Sequence, residues 1–326
     1  MSEKYILVTG GAGYIGSHTC KALSKAGYTP VTFDNLSTGS LTAVKWGPLI
    51  QGDLLDINKL NKTFLAYKFE GVVHFAAKAY VGESVSNPLK YFEGNVSTTV
   101  NLLKSMQVAN VNKLVFSSSC ATYGETHVAT IAEDQLQVPV NPYGYTKLVC
   151  ERMIKYQADT HPFRYSILRY FNAAGADPQQ EIGENHSPET HLIPLALRAA
   201  MERKIFKVFG NDYETPDGTA IRDYIHVSDL ASSHVIALKK LFLGSDSFTC
   251  NIGTGTGYSV LEVMEGLKKL FPKFRFEYTV RRPGDPAKLV ANVQKSIYTL
   301  DFKPVYSNLE TILETALAWE KSKEIG

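Results

Sequence analysis

A parallel α/β sheet wound on both faces by helices, followed by a second, smaller α/β lobe, is the architecture this sequence predicts. Three observations predict it. Short apolar runs alternate with helical stretches from residue 5 to about 170, the pattern of strands joined by right-handed crossovers. The first run gives way to glycines three apart, Gly10, Gly13 and Gly16, a strand–turn–helix unit. After Asn172 the texture changes. Residues 175–188 are rich in Gly, Pro, Gln, Glu and Asn, a loop leaving the sheet, and the later elements are shorter and more mixed. The first lobe is therefore residues 1–175 and the second 176–326.

Residues 5–8 form a buried strand that breaks at Gly10. In such a unit one glycine permits the tight turn, one lets a pyrophosphate approach the backbone, and one packs the helix on the sheet. The helix opening at Tyr14-Ile15 turns free N–H groups and a positive dipole end toward phosphates. The second strand, 30–33, ends in Asp34, about 20 residues on, where a carboxylate binds an adenosine ribose 2′-hydroxyl. These are the marks of a Rossmann-type dinucleotide site. A carboxylate repels a 2′-phosphate, and no arginine follows at once, so NAD is preferred over NADP.

Residues 49–52 end at Asp53, 72–75 at Ala76-Ala77, 114–116 at Ser117-Ser118-Ser119, and 165–170 at Phe171-Asn172. Sheets of this kind bind ligands beyond the carboxyl ends of their strands, and the unusual residues collect there. Between them, 96–106 and 147–158 carry helical periodicity. The second lobe holds a helix near 195–203, a segment at 208–210, and a helix over 230–241 that Ser228-Asp229 cap and that packs back on the first lobe. Elements at 260–271, 275–280 and 309–321 follow.

Composition narrows the function. The chain has 326 residues, 44% hydrophobic and 20% charged, with a formal net charge of +2. So even a balance gives no electrostatic footprint for nucleic acid or an anionic membrane. No apolar run approaches the ~20 residues of a membrane span. The first strand begins too early to leave room for a signal peptide, so a cytoplasmic location is expected. Cys20, Cys120, Cys150 and Cys250 are scattered, without CxxC or His/Cys clustering. They read as reduced, packed thiols, and no metal site is expected.

The chemistry centres on residues 141–147. Asn141 and Pro142 suit the start of a helix, and Tyr143 and Lys147, four apart, share one face of it. Of 18 tyrosines, Tyr143 alone is followed four residues later by lysine. A free phenol, with a pKa near ~10, is a poor base at neutral pH. A neighbouring ammonium, a cationic nicotinamide and a helix N-terminus each favour the phenolate. Reaching a pKa of ~7 takes about 4 kcal/mol of such help. The spacing alone also fits an ordinary amphipathic helix. Ser119, at a strand end, adds a hydroxyl able to bond a substrate oxygen beside Tyr143, although a serine triplet also suits a plain loop. His74 and His226 read as packed structural histidines, and Cys120 as a packed neighbour.

The glycine triplet, Asp34, the serine-rich strand end and Tyr143-x-x-x-Lys147 together resemble the extended short-chain dehydrogenase/reductase superfamily, and within it the sugar-nucleotide 4-epimerases. The likeness spans nearly the whole chain: 10–18, 34–39, 74–84, 116–124, 142–147, 168–175, 209–213, 218–230 and 281–285. The run Arg222-Asp223-Tyr224-Ile225-His226-Val227 is its most specific part. The resemblance implies NAD-dependent interconversion of UDP-glucose and UDP-galactose by transient oxidation at sugar C4. It makes Tyr143 the base, has Lys147 bind the nicotinamide ribose and hold down the tyrosine pKa, and has Ser119 bond the reacting oxygen.

By the same resemblance Asn35, Asp53 and Leu54 address the adenosine side of the cofactor. Phe75 and Ala76 line its channel, and Asn95 and Tyr170 complete the site. On the substrate side Arg222 and Arg282 fork onto the diphosphate. Asn172, His191-Leu192, Phe209 and Asp285 hold the UDP, His191 standing where some relatives carry asparagine. Cys120-Ala121-Thr122-Tyr123-Gly124 departs from the commoner Ala-Thr-Val-Tyr-Gly. Leu289 replaces a tyrosine that narrows the sugar pocket in some relatives, which leaves UDP-N-acetylhexosamines open as substrates. An epimerase of UDP-xylose or UDP-glucuronate stays open too. A 4,6-dehydratase needs an acid and a base beside the serine, and this chain carries no carboxylate at 120–121; a non-catalytic NAD sensor has no need of Tyr143 and Lys147. Relatives pair through helices near 88–106 and 143–158, so a homodimer is expected.

Overall fold

In the computed structural model, which describes residues 3–282 and 284–325, the chain opens as β1 (Tyr5–Thr9), the glycine turn and α1 (Tyr14–Lys25). It continues through β2 (Thr29–Asp34), β3 (Leu49–Gln51), α2 (Ile57–Ala66), β4 (Phe69–His74), α3 (Val81–Ser86) and α4 (Pro88–Tyr91). A π-helical turn at Phe92–Ser97 leads into α5 (Thr98–Val108), followed by β5 (Lys113–Ser119), α6 (Pro142–Thr160) and β6 (Arg164–Tyr170). Next come β7 (Asn172–Ala174), α7 (Leu192–Met201), β8 (Ile205–Phe209), β9 (Ile221–Arg222), β10 (Tyr224–His226), α8 (Val227–Phe242) and β11 (Phe248–Ile252). The chain ends with β12 (Tyr258–Ser259), α9 (Val260–Leu270), β13 (Arg275–Thr279), β14 (Lys288–Leu289), α10 (Gln294–Leu300) and α11 (Leu309–Ile325).

Among the described residues seven parallel strands make the main sheet, in the order β11-β6-β5-β4-β1-β2-β3. The winding direction reverses between β1 and β4, which opens a crevice at their carboxyl ends. Strand residues alternate between faces. Leu7, Val31, Leu114 and Ile167 join one core with α2, α5 and α6, while Ile6, Val8, Val115 and Leu168 join another with α1 and α8. A third core gathers α7, α9 and α11 around Val208, Met264 and Ile312.

The expected helix at 230–241 does lie on the first sheet, through Leu230, Leu238 and Leu241. The sheet also takes an edge strand from beyond residue 175, because β11 pairs along β6 from Ser166 to Tyr170. Ser228-Asp229 do not cap α8. The helix begins at Val227, and the His226 ring accepts the Ser228 N–H at 3.1 Å. The Asp229 carboxylate accepts from Val305 N, Tyr306 N and Ser307 Oγ at 2.9, 2.8 and 2.6 Å. Helix α7 starts at Leu192, earlier than its periodicity predicts, since Pro194 is tolerated in a first turn. The Tyr14 hydroxyl donates to Gly175 O at 2.5 Å and Lys21 Nζ to Asp177 Oδ2 at 2.7 Å, tying α1 to the loop that leaves the sheet.

Candidate active site

Gly10 has φ +72°, and a Cβ there would lie 2.6 Å from Ala76 N, so both the turn and the approach of the next loop demand glycine. A Cβ on Gly16 would enter the Gly10 carbonyl. The N-cap of α1 is Gly13, which brings no side chain to the first-turn N–H groups. They face the crevice end of the sheet as an anion site. Asp34 closes this turn: Oδ2 accepts Ala12 N at 3.0 Å and Oδ1 accepts Leu36 N at 2.8 Å. Burial raises its pKa, against those N–H groups and Lys78. A carboxylate has about four acceptor positions, so two remain for ribose hydroxyls. The turn, the bare helix start and Asp34 thus fit a dinucleotide.

Asn35 Nδ2 donates to Asp53 Oδ2 at 2.8 Å, joining the ends of β2 and β3, and Leu54 is buried beneath. Phe75 N and Ala76 N both donate to Thr9 O, at 2.9 and 3.1 Å, and the Phe75 ring packs 4.7 Å from His234. Ile15 packs into the core behind the turn. Tyr14 and Asn95, both expected at the cofactor, also bond within the protein. The Tyr14 hydroxyl goes to Gly175. The Asn95 amide accepts Lys78 N at 2.7 Å and donates to Lys78 O and Thr146 Oγ1 at 3.1 and 3.0 Å. Sequence reasoning missed Lys78, which this clamp holds near Asp34, its Nζ 3.3 Å from Ser37 Oγ.

Helix α6 starts as expected, with Pro142 in its first turn and Asn141 Oδ1 accepting Gly144 N at 2.9 Å. Its first turn carries Tyr143, 7% exposed, to the end of β5 beside Ser119, Cys120 and Tyr170. Burial drives the phenol well above its ordinary pKa, and the Ser119 hydroxyl offsets part of that rise. Lys147 follows one helical turn on. Its Nζ donates to Ser117 O at 2.8 Å, lies 5.0 Å over the Phe116 ring, and is lowered to about 8 by burial. In the protein alone, desolvation of the buried phenol dominates its pKa.

The three serines divide their work. Ser117 Oγ donates to Tyr170 OH at 3.0 Å, Ser118 Oγ donates to Glu151 Oε1 at 2.5 Å, and Ser119 Oγ accepts Ala121 N at 3.1 Å. Behind them Arg169 and Glu151 form a buried two-point ion pair, Nε–Oε1 2.9 Å and Nη2–Oε2 2.6 Å, which sequence reasoning missed. Only its strand and helix positions were legible, since nothing local pairs residues 18 apart. Cys120 packs against the Tyr123 and Phe171 cluster, and burial pushes its thiol up to about 12. His74 bonds Thr9 and Thr99 at 2.6 and 3.1 Å, and His226 bonds Thr315 at 3.1 Å, both structural.

Across the crevice, Arg222 Nη2 donates to Asp285 Oδ1 at 2.5 Å, and Tyr213 OH to Oδ2 at 3.3 Å. The Arg282 guanidinium stacks 4.2 Å over Phe209. Asp223 is a buried hub that folds Thr254, Gly255 and Ala291 around it, at 2.7–3.1 Å. Asn172 is fixed by its N–H to Asp223 O at 2.9 Å. Leu289 and Cys120 pack on one cluster of Tyr123, Ile131, Phe171 and Ala291, which places Leu289 near the serine end of β5. His191 caps α7 without a side-chain cap bond, ahead of Leu192, and meets Glu184. Glu184, His186, Glu189 and His191 converge, a grouping that the absence of Cys/His pairs had hidden.

Residues 6–253 match the model of the NAD dependent epimerase/dehydratase family. The chain is 47% identical to the UDP-glucose 4-epimerase of Rhizobium meliloti (strain 1021) over 100% of both chains. It superposes on the crystal structure of UDP-glucose 4-epimerase from Brucella ovis in complex with NAD with a TM-score of 0.94, at 48% identity, covering 97% of this chain and 98% of that one. It also resembles the UDP-Glc/GlcNAc 4-epimerase of Campylobacter jejuni, with a TM-score of 0.86 and 40% identity over 98% and 99% of the chains.

Proposed function

From the premise that this chain belongs to the NAD dependent epimerase/dehydratase family, we propose that Tyr143 moves the proton in its reaction while Ser119 and Lys147 position and charge the site. The reaction is the NAD-dependent interconversion of UDP-glucose and UDP-galactose. When bound, NAD supplies the acceptor and later the donor of the hydride at sugar C4. The turn at Gly10, Gly13 and Gly16, with Asp34, Asn35 and Asp53, would hold it.

The chain's own residues do the rest. Tyr143 takes the proton of the 4-hydroxyl and returns it after the hydride has come back to the other face, so nothing is oxidised overall. Ser119 bonds the same oxygen. Because burial raises the phenol, a phenolate here needs compensating positive charge, to which Lys147 contributes from one helical turn away. Arg222, Arg282 and Asp285 hold the UDP while the sugar turns, with Asn172, Phe209, His191 and Leu192 on the same side. The observation that carries this reading is the meeting of Tyr143 and Ser119 at the end of β5, beyond the glycine turn. Incubating the protein with UDP-glucose and following UDP-galactose by chromatography tests it. Tyr143→Phe should lose at least about 10²-fold in turnover, and undiminished turnover would remove the base assignment.

We assign the cofactor to residues 1–175 and the UDP-sugar to 176–326, with α8 and β11 completing the cofactor lobe's core and sheet. The lack of any carboxylate at 120–121 disfavours a dehydratase. A homodimer through the helices near 88–106 and 143–158 accounts for the exposure of Leu89, Tyr145 and Tyr156 on them. Sedimentation of the wild type as dimer and of Leu89→Glu as monomer is expected, and a monomeric wild type ends the idea. Among the described residues no helix is long and apolar enough to cross a membrane. The four free thiols fit a reducing, cytoplasmic setting.

A further inference from the structure

We propose that the loop entering α7 is a divalent transition-metal site, in which Glu184, His186, Glu189 and His191 bind an ion of the zinc class. This goes beyond the epimerase reading, whose proton and hydride steps use no metal. The four side chains each offer one nitrogen or oxygen, and these atoms lie within 4.8 Å of one another. His186 Nδ1 is 3.0 Å from Glu184 Oε1, His191 Nδ1 meets that same oxygen, and His191 Nδ1 is 3.6 Å from Glu189 Oε1. The carboxylates are almost out of water, at 5% and 2% side-chain exposure.

Glu189 Oε2 is buried without a hydrogen-bond partner, and His186 Nδ1, although 3.0 Å from Glu184 Oε1, meets it outside hydrogen-bond geometry. A buried polar atom left without a proper hydrogen bond is costly, and finding two in one cluster of ligating types points to a missing partner. Arg198 does not serve, since its Nη2 stops 3.8 Å from Glu189 Oε2 and its Nε bonds Glu320 at 2.9 Å. A dication would meet both orphans and neutralise both carboxylates.

The donor set selects the metal. Two imidazoles and two carboxylates suit zinc and its neighbours rather than the all-oxygen shells of magnesium and calcium. An ion about 2.1 Å from each donor spaces tetrahedral donors by roughly 3.4 Å. Its entry therefore spreads the Glu184–His191 contact and draws the outermost pair inward. The surroundings are fixed. The His186 ring is wedged edge-on against Tyr14 at 6.2 Å and Tyr80 at 6.1 Å, and Trp319 Nε1 and Lys323 Nζ donate to Glu184 O at 2.8 and 2.6 Å. The ion would pin the start of α7 to α11 and to the cofactor-side helix α1.

The test uses the NAD-loaded protein, stripped with a chelator and titrated with Co2+. A visible d–d band saturating at one Co2+ per chain, and displaced by Zn2+, is expected. His186→Gln and Glu189→Gln should each lose the band or weaken Co2+ binding at least about tenfold, with circular dichroism and NAD content unchanged. Should a variant misfold, the wild type supplies the answer alone, since Zn2+ but not Mg2+ should raise its melting temperature. No band and no Zn2+ shift in the wild type, or an undiminished band in both folded variants, overturns the site.

Discussion

Tyr143 shows what single residues reveal before a structure exists and what they conceal. Its spacing from Lys147 and the helix start at Asn141-Pro142 were legible, because both are local. The direction of its pKa was not, because burial among Ser119, Cys120 and Tyr170 is a tertiary fact. Ser119 counters that burial. Ser119→Ala is therefore expected to lower kcat by roughly 10-fold or more, as one lost hydrogen bond to a charged group is worth about 1.5–3 kcal/mol. Equilibrium binding of UDP should change far less, and a Ser119→Ala enzyme with unchanged kcat would leave the hydroxyl without a catalytic task. Leu289 carries the second residue-scale prediction. It packs on the cluster that also supports Cys120, so Leu289→Tyr should shrink the sugar pocket. Turnover of UDP-N-acetylglucosamine should then fall by more than tenfold relative to UDP-glucose, on the scale of 1–3 kcal/mol for a steric change in a pocket. Equal losses on both sugars would place Leu289 outside the pocket wall.

At the scale of elements, apolar runs made the strands β1 to β6 readable, and strand ends made most of the candidate site readable with them. β11 escaped because Phe248–Ile252 follows α8 in a stretch of mixed texture, and only its pairing with β6 reveals it. The α8 cap was misplaced because a histidine, His226, does the work that serine or aspartate usually does. The Glu151–Arg169 pair links α6 to β6, and Ser118 ties both to β5. This three-way clamp sets where the first turn of α6 sits against Ser119. Removing one partner leaves a buried charge alone, which costs about 3–5 kcal/mol. Glu151→Ala should therefore shift the urea midpoint strongly downward. Replacing both, as Glu151→Leu with Arg169→Leu, should cost less than the two single changes together. Additive losses would mean that the two charges do not depend on each other.

The whole molecule has buried neutral histidines in both of its larger layers, and this sets its response to acid. His18, His74, His226 and His234 are pulled down to about 4, 3, 4 and 4, in each case first by burial. Unfolded, each takes up a proton near pH 6.5. Their folded pKa values are depressed, so the stability they represent is complete above pH 6.5 and is lost as pH falls toward 4. Four such groups correspond to about 5 kcal/mol per pH unit in that window. His191 opposes them in sign: burial lowers it, but Glu184 raises it further. Its contribution is complete below pH 6.5 and adds nothing to the slope there. Glu184, held at about 2 by the two histidines against burial, loses its share only below the ordinary glutamate range. A domain carries about 5–15 kcal/mol in all, so the protein should approach unfolding near pH 5. Urea midpoints measured at pH 7, 6 and 5 should fall steeply, and His234→Gln should shallow the slope by about one proton in four. Midpoints that stay level from pH 7 to 5 would mean that these rings reach water in the folded state.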